Sequence, residues 1–552
     1  MLSLKERYKL STTFLLRTSQ NTYSIVFDEK YITIYQYSNK IKIDKIDKQK
    51  YDFIMSGNKQ VPLLYGNIKR RDGNYVCEYF GIEDTGYFSR SLKLPQELAE
   101  DNIELQDVIL MDSSNVIFLK IKDTKKVYWI RIWNNSSELI TFSDDTLSIA
   151  ANGIPLTVAS LSNIEEYSKL FKHKGITYKY SGSFAVGSNS ENIYIFDRSK
   201  LIKVIKSENI ISDFEIIGDQ LYTVEVENTI SKLNIYDLKE NEKKEVIRNS
   251  GRIELSFPSN IGYTVKVTNL LQGVTFYNCS LNHKELLKSF LYSDYEITVD
   301  RTLFDSQHMY TYILSNNKRK GKCTGNIFSF HGGPESYEQL DDRWLGEYLR
   351  YISLGYQIFI INYPGSVSFG RVYKVLPWKN WTETINNGIK SLVKDSIAQN
   401  KLTTYSNTWC WGGSFGAPIA YKLAKYLTDK KICSNVNLLL ISPLIDLNEH
   451  IHKLSEENKV WFQKRFCLKD ISYLSINKEK NIPKFSIYCY QGAKDEILTF
   501  QSTVDYFSLL KKRGYKNAKL ETDFEMKHAP QNFKEESNLL YFIKKVMKED
   551  TC

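Results

Sequence analysis

From about residue 20 to 295 the chain is built of short runs rich in Ile, Val, Tyr and Thr, broken by polar turn clusters. Such runs predict β-strands, because branched and aromatic side chains suit a pleated, half-buried surface. Examples are Tyr31–Tyr35, Val116–Ile121, Val127–Ile132, Ile193–Phe196, Leu221–Val226 and Leu233–Tyr236. Arg71-Asp72-Gly73-Asn74 and Ile217-Gly218-Asp219 mark turns between them. A run of apolar residues ending in Asp recurs at Ile195-Phe196-Asp197 and Ile235-Tyr236-Asp237, 40 positions apart, the length of one propeller blade. The pattern alone fits a sandwich, a barrel or a β-propeller.

Beyond residue 300 the texture changes. Ile327–His331, Ile358–Asn362, Thr408–Trp411, Leu438–Ser442 and Phe485–Tyr490 read as buried strands. The segments between them carry helical periodicity: Trp381, Ile385, Ile389, Leu392 and Val393 share one face, as do Ile419, Leu423 and Leu427. Strands alternating with helices predict a mostly parallel sheet covered on both faces. The change falls near 285–305, with no Gly/Ser/Pro-rich linker, so two directly packed domains are expected. At 552 residues the chain also exceeds the ~250–300 at which one core stops growing.

Composition changes this picture little. Lys and Arg number 74 against 64 Asp and Glu, a mild surplus spread along the chain with no nucleic-acid motif beside it. The eight cysteines are scattered, none closer to another than 22 positions, which excludes CxxC redox and zinc patterns and suits a reducing compartment. The first twenty residues make a poor signal peptide, and no run of about 18 apolar residues exists to cross a membrane. A cytoplasmic protein is expected, with no nucleic-acid or membrane partner; homo-oligomerisation stays open.

The chemistry concentrates after residue 325. Trp409-Cys410-Trp411-Gly412-Gly413-Ser414-Phe415-Gly416 contains GxSxG between an apolar strand and a helix. A serine hydroxyl attacks well when held exposed at a sharp turn beside a base, and flanking glycines permit that turn. The partners then follow in the order acid, histidine. Asp495 lies on the loop after strand Phe485–Tyr490. His528 lies just past a further strand, Lys519–Phe524, and is the only histidine after Asp495. In an open parallel sheet such loops converge where ligands bind. The catalytic candidates are therefore Ser414, Asp495 and His528. An oxyanion hole needs two amides, for which Phe415 and Gly333, in Phe330-His331-Gly332-Gly333-Pro334, are the candidates.

From about 305 to 548 the chain resembles the prolyl oligopeptidase family of serine peptidases, particularly its acylaminoacyl-peptidase-like branch. The shared features are HGGP at His331–Pro334, Asn362-Tyr363-Pro364-Gly365-Ser366 with Phe369-Gly370, the elbow at Gly412–Gly416, and Ser442-Pro443-Leu444-Ile445-Asp446. The resemblance implies an N-terminal β-propeller, seven-bladed by expectation, over residues 1–295. It implies an α/β-hydrolase domain over 296–552, against which the first twenty or so residues could pack. It also implies hydrolysis of short peptides by a Ser-Asp-His triad without metal or organic cofactor, the propeller restricting access to oligopeptides. Pro364, Ala417 and Lys527 depart from the family pattern, and the first and last of these bear on the substrate cleft. Glu165-Glu166 is a faint match to the paired glutamates with which the dipeptidyl-peptidase branch grips a substrate amino terminus; a solvated face is the plainer reading.

Other features read as structural. His450-Ile451-His452 lacks metal-ligand surroundings, Trp378 and Trp381 suit a helix packed on a sheet, and Lys511-Lys512-Arg513 suits a helix C-terminus. An esterase or a peptide cyclase would use the same triad. A propeller-based binding protein with an inert hydrolase domain is the alternative from another class.

Overall fold

The computed structural model describes residues 2–549 except 29, 38–39, 57–60, 84–85, 95–103, 111–116, 123–126, 134–135, 142–148, 152–153, 157–176, 182–183, 189–191, 198–199, 208, 293–296, 305–308, 317–323, 405 and 482. The chain divides into two compact units, Lys9–Phe290 and Leu291–Cys552, with Met1–Tyr8 belonging to the second. Glu165 and Glu166 lie outside the described residues.

The first unit is a β-propeller. Among the described residues it holds six four-stranded antiparallel sheets and one two-stranded sheet, each made from consecutive strands. Turn chemistry sets the hairpins: between strands Leu63–Arg71 and Asn74–Glu83 stand only Asp72 and Gly73, at φ +50° and +78°. Both central residues of a type I′ turn need positive φ, and that turn matches the twist of the flanking strands. The two repeated runs ending in Asp197 and Asp237 close the third strands, Asn192–Asp197 and Ile230–Asp237, of successive sheets. The first and last sheets meet through side chains. Phe257 of the last sheet shares an apolar cluster with Leu16, Tyr23 and Ile25 of the first, and the Lys266 ammonium sits 4.3 Å over the Phe14 ring and donates to the Ser11 carbonyl.

The second unit is an α/β-hydrolase domain. Its strands, numbered within the unit, are β1 (Ile297–Phe304), β2 (Met309–Asn316), β3 (Gly325–Phe330), β4 (Tyr356–Asn362), β5 (Asn407–Gly413), β6 (Asn435–Ile441), β7 (Ser486–Gly492) and β8 (Ala518–Asp523). They form one sheet in the order β1-β2-β4-β3-β5-β6-β7-β8. β1 and β2 form an antiparallel hairpin that the sequence reading did not single out, and β2 pairs antiparallel with β4; from β4 onward every pairing is parallel. β3 is buried throughout, as a strand covered on both faces must be.

Helices supply the cover. Trp381–Ala398 buries Trp381, Ile385, Ile389, Leu392 and Val393, the apolar face read from the sequence. Gly416–Asp429 buries Ile419, Leu423 and Leu427. Both join Phe328, Phe359, Leu438 and Ile487 of the strands in one core cluster. Because β3, β5, β6, β7 and β8 run parallel, the loops after them emerge along one edge of the sheet.

Candidate active site

The elbow after β5 is forced by close backbone approaches. A Cβ on Gly412 would stand 2.6 Å from Ala417 Cα, and one on Gly416 would stand 2.4 Å from the Phe330 carbonyl oxygen. Between them Ser414 adopts φ +50°, a left-handed conformation that costs a non-glycine residue about 1–2 kcal/mol. Backbone hydrogen bonds hold it there. The Ser414 amide donates to the Ile441 carbonyl at 3.0 Å, and its own carbonyl accepts from Ala417 and Leu444, each at 3.1 Å. Strain persists where neighbours over-determine it, often at functional sites.

Asp495 and His528 meet directly. His528 Nδ1 lies 2.8 Å from Asp495 Oδ2, in a pair whose carboxylate is fully shielded and whose imidazole is 22% exposed. The carboxylate is tightly held. Gln491 Nε2 donates to Oδ2 at 2.9 Å, and the Ile497 and Leu498 amides donate to Oδ1 at 2.9 and 2.8 Å. Burial works to raise the Asp495 pKa, but the bonds from His528 and Leu498 outweigh it and hold the carboxyl below its ordinary value. With Nδ1–H committed to Asp495, Nε2 is the nitrogen left to take a proton.

The two loops are joined beneath the pair. A Cβ on Gly492 would stand 2.2 Å from the Lys527 carbonyl oxygen, and the Lys494 amide donates to the Met526 carbonyl at 3.1 Å. The Lys527 side chain pairs with Glu496 at 3.5 Å, and both are exposed. Pro364 is buried.

Ser414 and His528 line one cavity of about 160 Å³ with Gly332, His331, Arg343, Trp344, Ser442 and Pro530 among its other walls. Gly332, rather than Gly333, forms the wall here: a Cβ on it would stand 3.1 Å from Ser414 Cβ. Gly333 follows at φ +136°, a region open to glycine. Phe415, whose ring is buried against Trp381 and Phe466, opens helix Gly416–Asp429, where backbone amides lack intrahelical partners.

The HGGP loop is pinned from beneath. The Tyr363 hydroxyl donates to the carbonyls of His331 at 3.0 Å and Gly332 at 3.2 Å, and the His331 and Tyr363 rings stack at 4.4 Å. His331 Nδ1 lies 2.6 Å from the Gly332 carbonyl and Nε2 lies 2.8 Å from Ser366 Oγ. Burial drives the His331 pKa down to about 3, so the ring is neutral; this network assigns its proton to Nδ1. A trans peptide points its C=O and N–H in opposite directions, so fixing the Gly332 carbonyl inward turns the Gly333 N–H outward.

No pattern in the sequence assigns a role to Gln491, to Tyr363 within its motif, or to the Glu338–Arg343–Trp344 wall. Gln491 and Tyr363 stand one or two residues from strand ends that carry named chemistry, the one available signal. Glu338 is buried and accepts from Tyr348 at 2.9 Å and Arg343 at 3.3 Å. Among the described residues no group of three metal-ligating side chains occurs, and His450 packs edge-on against Phe462. Trp381 stacks on Phe466, and Trp378 lies 4.3 Å under the Arg465 guanidinium.

Residues 345–550 match the model of the Prolyl oligopeptidase family. Among solved structures the chain is similar to an acylaminoacyl peptidase in complex with Z-Gly-Gly-Phe-chloromethyl ketone, at 14% identity over 97% of this chain and 88% of that one, TM-score 0.59. It is similar to a Mycobacterium tuberculosis puromycin-hydrolyzing peptidase, at 11% identity over 98% and 94%, TM-score 0.60. Oligopeptidase B from Leishmania major matches at 13% identity over 98% and 79%, TM-score 0.56. Among curated proteins no sequence matches. The structural likenesses carry the propeller-plus-hydrolase fold; the family match, over residues 345–550, covers Ser414, Asp495 and His528 and supports a serine-type peptidase.

Proposed function

We propose that the protein hydrolyses short peptides through an acyl-enzyme formed on Ser414. The observation that carries this reading is the 2.8 Å His528–Asp495 pair beside the cavity that Ser414 shares with His528. In the proposed mechanism His528 Nε2 takes the Ser414 hydroxyl proton as Oγ attacks the scissile carbonyl. Asp495 keeps the imidazole in the productive tautomer and stabilises its charged form. The oxyanion is met by the Phe415 and Gly333 amides. His528 then protonates the leaving amine, and water, activated by the same imidazole, releases the acyl group. No metal or organic cofactor enters any step.

Peptide substrates are favoured by the names of the similar structures, an acylaminoacyl peptidase and an oligopeptidase among them. A fluorophosphonate probe tests the reading. Labelling of the native protein that disappears in Ser414→Ala and falls strongly in His528→Ala supports it. A native protein that stays unlabelled while a control hydrolase reacts overturns it. Turnover of a mixed peptide library, set against simple esters, then tests peptidase against esterase action, and mass spectrometry of the products reads the side-chain preference. A cytoplasmic location is part of the same proposal, tested by fractionation.

A further inference from the structure

One wall of the cavity beside Ser414 has an unusual backbone. Trp344, Leu345 and Gly346 all adopt left-handed conformations, at φ +54°, +49° and +68°. Two of the three are bulky non-glycine residues, for which this backbone shape is strained. Arg343 and Trp344, at the start of this turn, line the cavity with Ser414 and His528. Such a turn holds its shape only where surrounding contacts impose it.

The contact that reaches it comes from the other end of the sequence. Arg7, on the helix Leu4–Ser11, is 4% exposed. Its Nη1 donates to the Leu345 carbonyl, and its Nη2 lies 3.0 Å from Glu347 Oε2. Glu347 is buried and also faces Lys544 at 3.3 Å and Arg350 at 3.5 Å, so its charge is compensated from several sides. The bond to the Leu345 carbonyl is the distinctive one, because it grips the turn's own backbone. One residue further on, Tyr8 packs at 5.1 Å against Phe533, just after the loop that carries His528. Leu2 donates to the Tyr292 carbonyl at 3.1 Å.

We propose that Arg7 is a positioning residue for substrate binding: it clamps the left-handed turn Trp344–Gly346 and so sets the Arg343–Trp344 wall of the catalytic cavity. The inference rests on Ser414 being the nucleophile. Arg7 touches neither the substrate nor the reacting atoms, so its loss changes how a peptide seats and leaves the intrinsic reactivity of Ser414 intact.

The experiment compares the full-length native protein with Arg7→Ala, Arg7→Lys and Glu347→Gln. Three readings are taken: KM and kcat on a peptide substrate, the rate of fluorophosphonate labelling at Ser414, and the thermal midpoint. Loss of a charge-assisted bond is expected to raise KM by about tenfold or more in Arg7→Ala, with labelling rate and kcat little changed. Arg7→Lys recovers part of the effect, since an ammonium still donates to the Leu345 carbonyl. Should Arg7→Ala fail to fold, Arg7→Lys gives the same comparison at smaller amplitude, while Glu347→Gln removes the carboxylate that orients the guanidinium and leaves its bond to the Leu345 carbonyl in place. A native KM in Arg7→Ala and Arg7→Lys overturns the proposal, as does a KM change matched by an equal loss of labelling and of folded protein. A native protein unlabelled at Ser414 condemns the nucleophile assignment instead, so the two failures are told apart.

Discussion

Gly416 backs directly onto Phe330: a methyl group on its Cα would stand 2.4 Å from the Phe330 carbonyl oxygen and 2.5 Å from that of His331. Both obstacles are backbone, in the strand and loop that lead to the HGGP turn. They cannot swing aside as a flexible side chain would. Gly416→Ala is therefore expected to destabilise by about 1–3 kcal/mol through overpacking. Gly413→Ala, where the nearest atom is 3.8 Å away, is expected to stay within about 0.5 kcal/mol. Denaturant titration of the two variants checks the contrast.

Asp495→Asn keeps the shape of the acid loop and removes its charge. The imidazole then loses its ionised partner and can settle in the wrong tautomer, so kcat on a peptide is expected to fall by about 10³–10⁴. The pH response of stability follows as well. Because the Asp495 carboxyl titrates below its ordinary value, its contribution is complete above the ordinary carboxylate range and fades as pH falls through the lowered value. In Asp495→Asn that portion of the acid limb is expected to vanish from a plot of stability against pH.

His331 makes a separate acid limb. It is held neutral in the fold, at about 3 against an ordinary 6.5, while the unfolded chain takes a proton at the ordinary value. Its contribution is therefore present above pH 6.5 and declines as pH falls towards 3. The limiting slope for one proton is about 1.4 kcal/mol per pH unit. In His331→Asn the curve over that window is expected to flatten, as measured by urea unfolding at a series of pH values.

Tyr363→Phe removes one hydroxyl and little volume. The carbonyls of His331 and Gly332 lose that donor, and the Gly333 amide loses part of what aims it. Turnover is expected to fall by less than the factor of about 10²–10³ that follows deletion of an oxyanion donor, with KM nearly constant. A kcat equal to the native value would show the HGGP turn to be held by His331 and Ser366 alone.

The parts legible in the sequence were those written in local patterns. The apolar face from Trp381 to Val393 obeys a 3.6-residue period, and Asp72-Gly73 has the conformational freedom its hairpin demands. Gly412, Ser414 and Gly416 were readable because one tight bend fixes all three. Asp495 and His528 could be named because strand order brings successive loops to one edge, and they are hydrogen-bonded across 33 residues. The units divide at Leu291, inside the 285–305 stretch where strands alone give way to strands and helices, and Met1–Tyr8 count with residues far downstream. The roles of Tyr363, Gln491 and Arg7 are not legible for a related reason. Each acts through a bond to a backbone or side-chain partner that no periodicity announces, and an arginine among Lys5, Glu6 and Lys9 looks like ordinary solvated charge.

The distance along the chain between Arg7 and Leu345, 338 residues, also imposes an order in time. During synthesis each propeller sheet can close as soon as its own consecutive strands have left the ribosome. The partners of the guanidinium at position 7, the Leu345 carbonyl and Glu347, are made only after every one of those sheets. A nascent chain arrested before residue 345 therefore holds every propeller strand but not the turn that Arg7 grips.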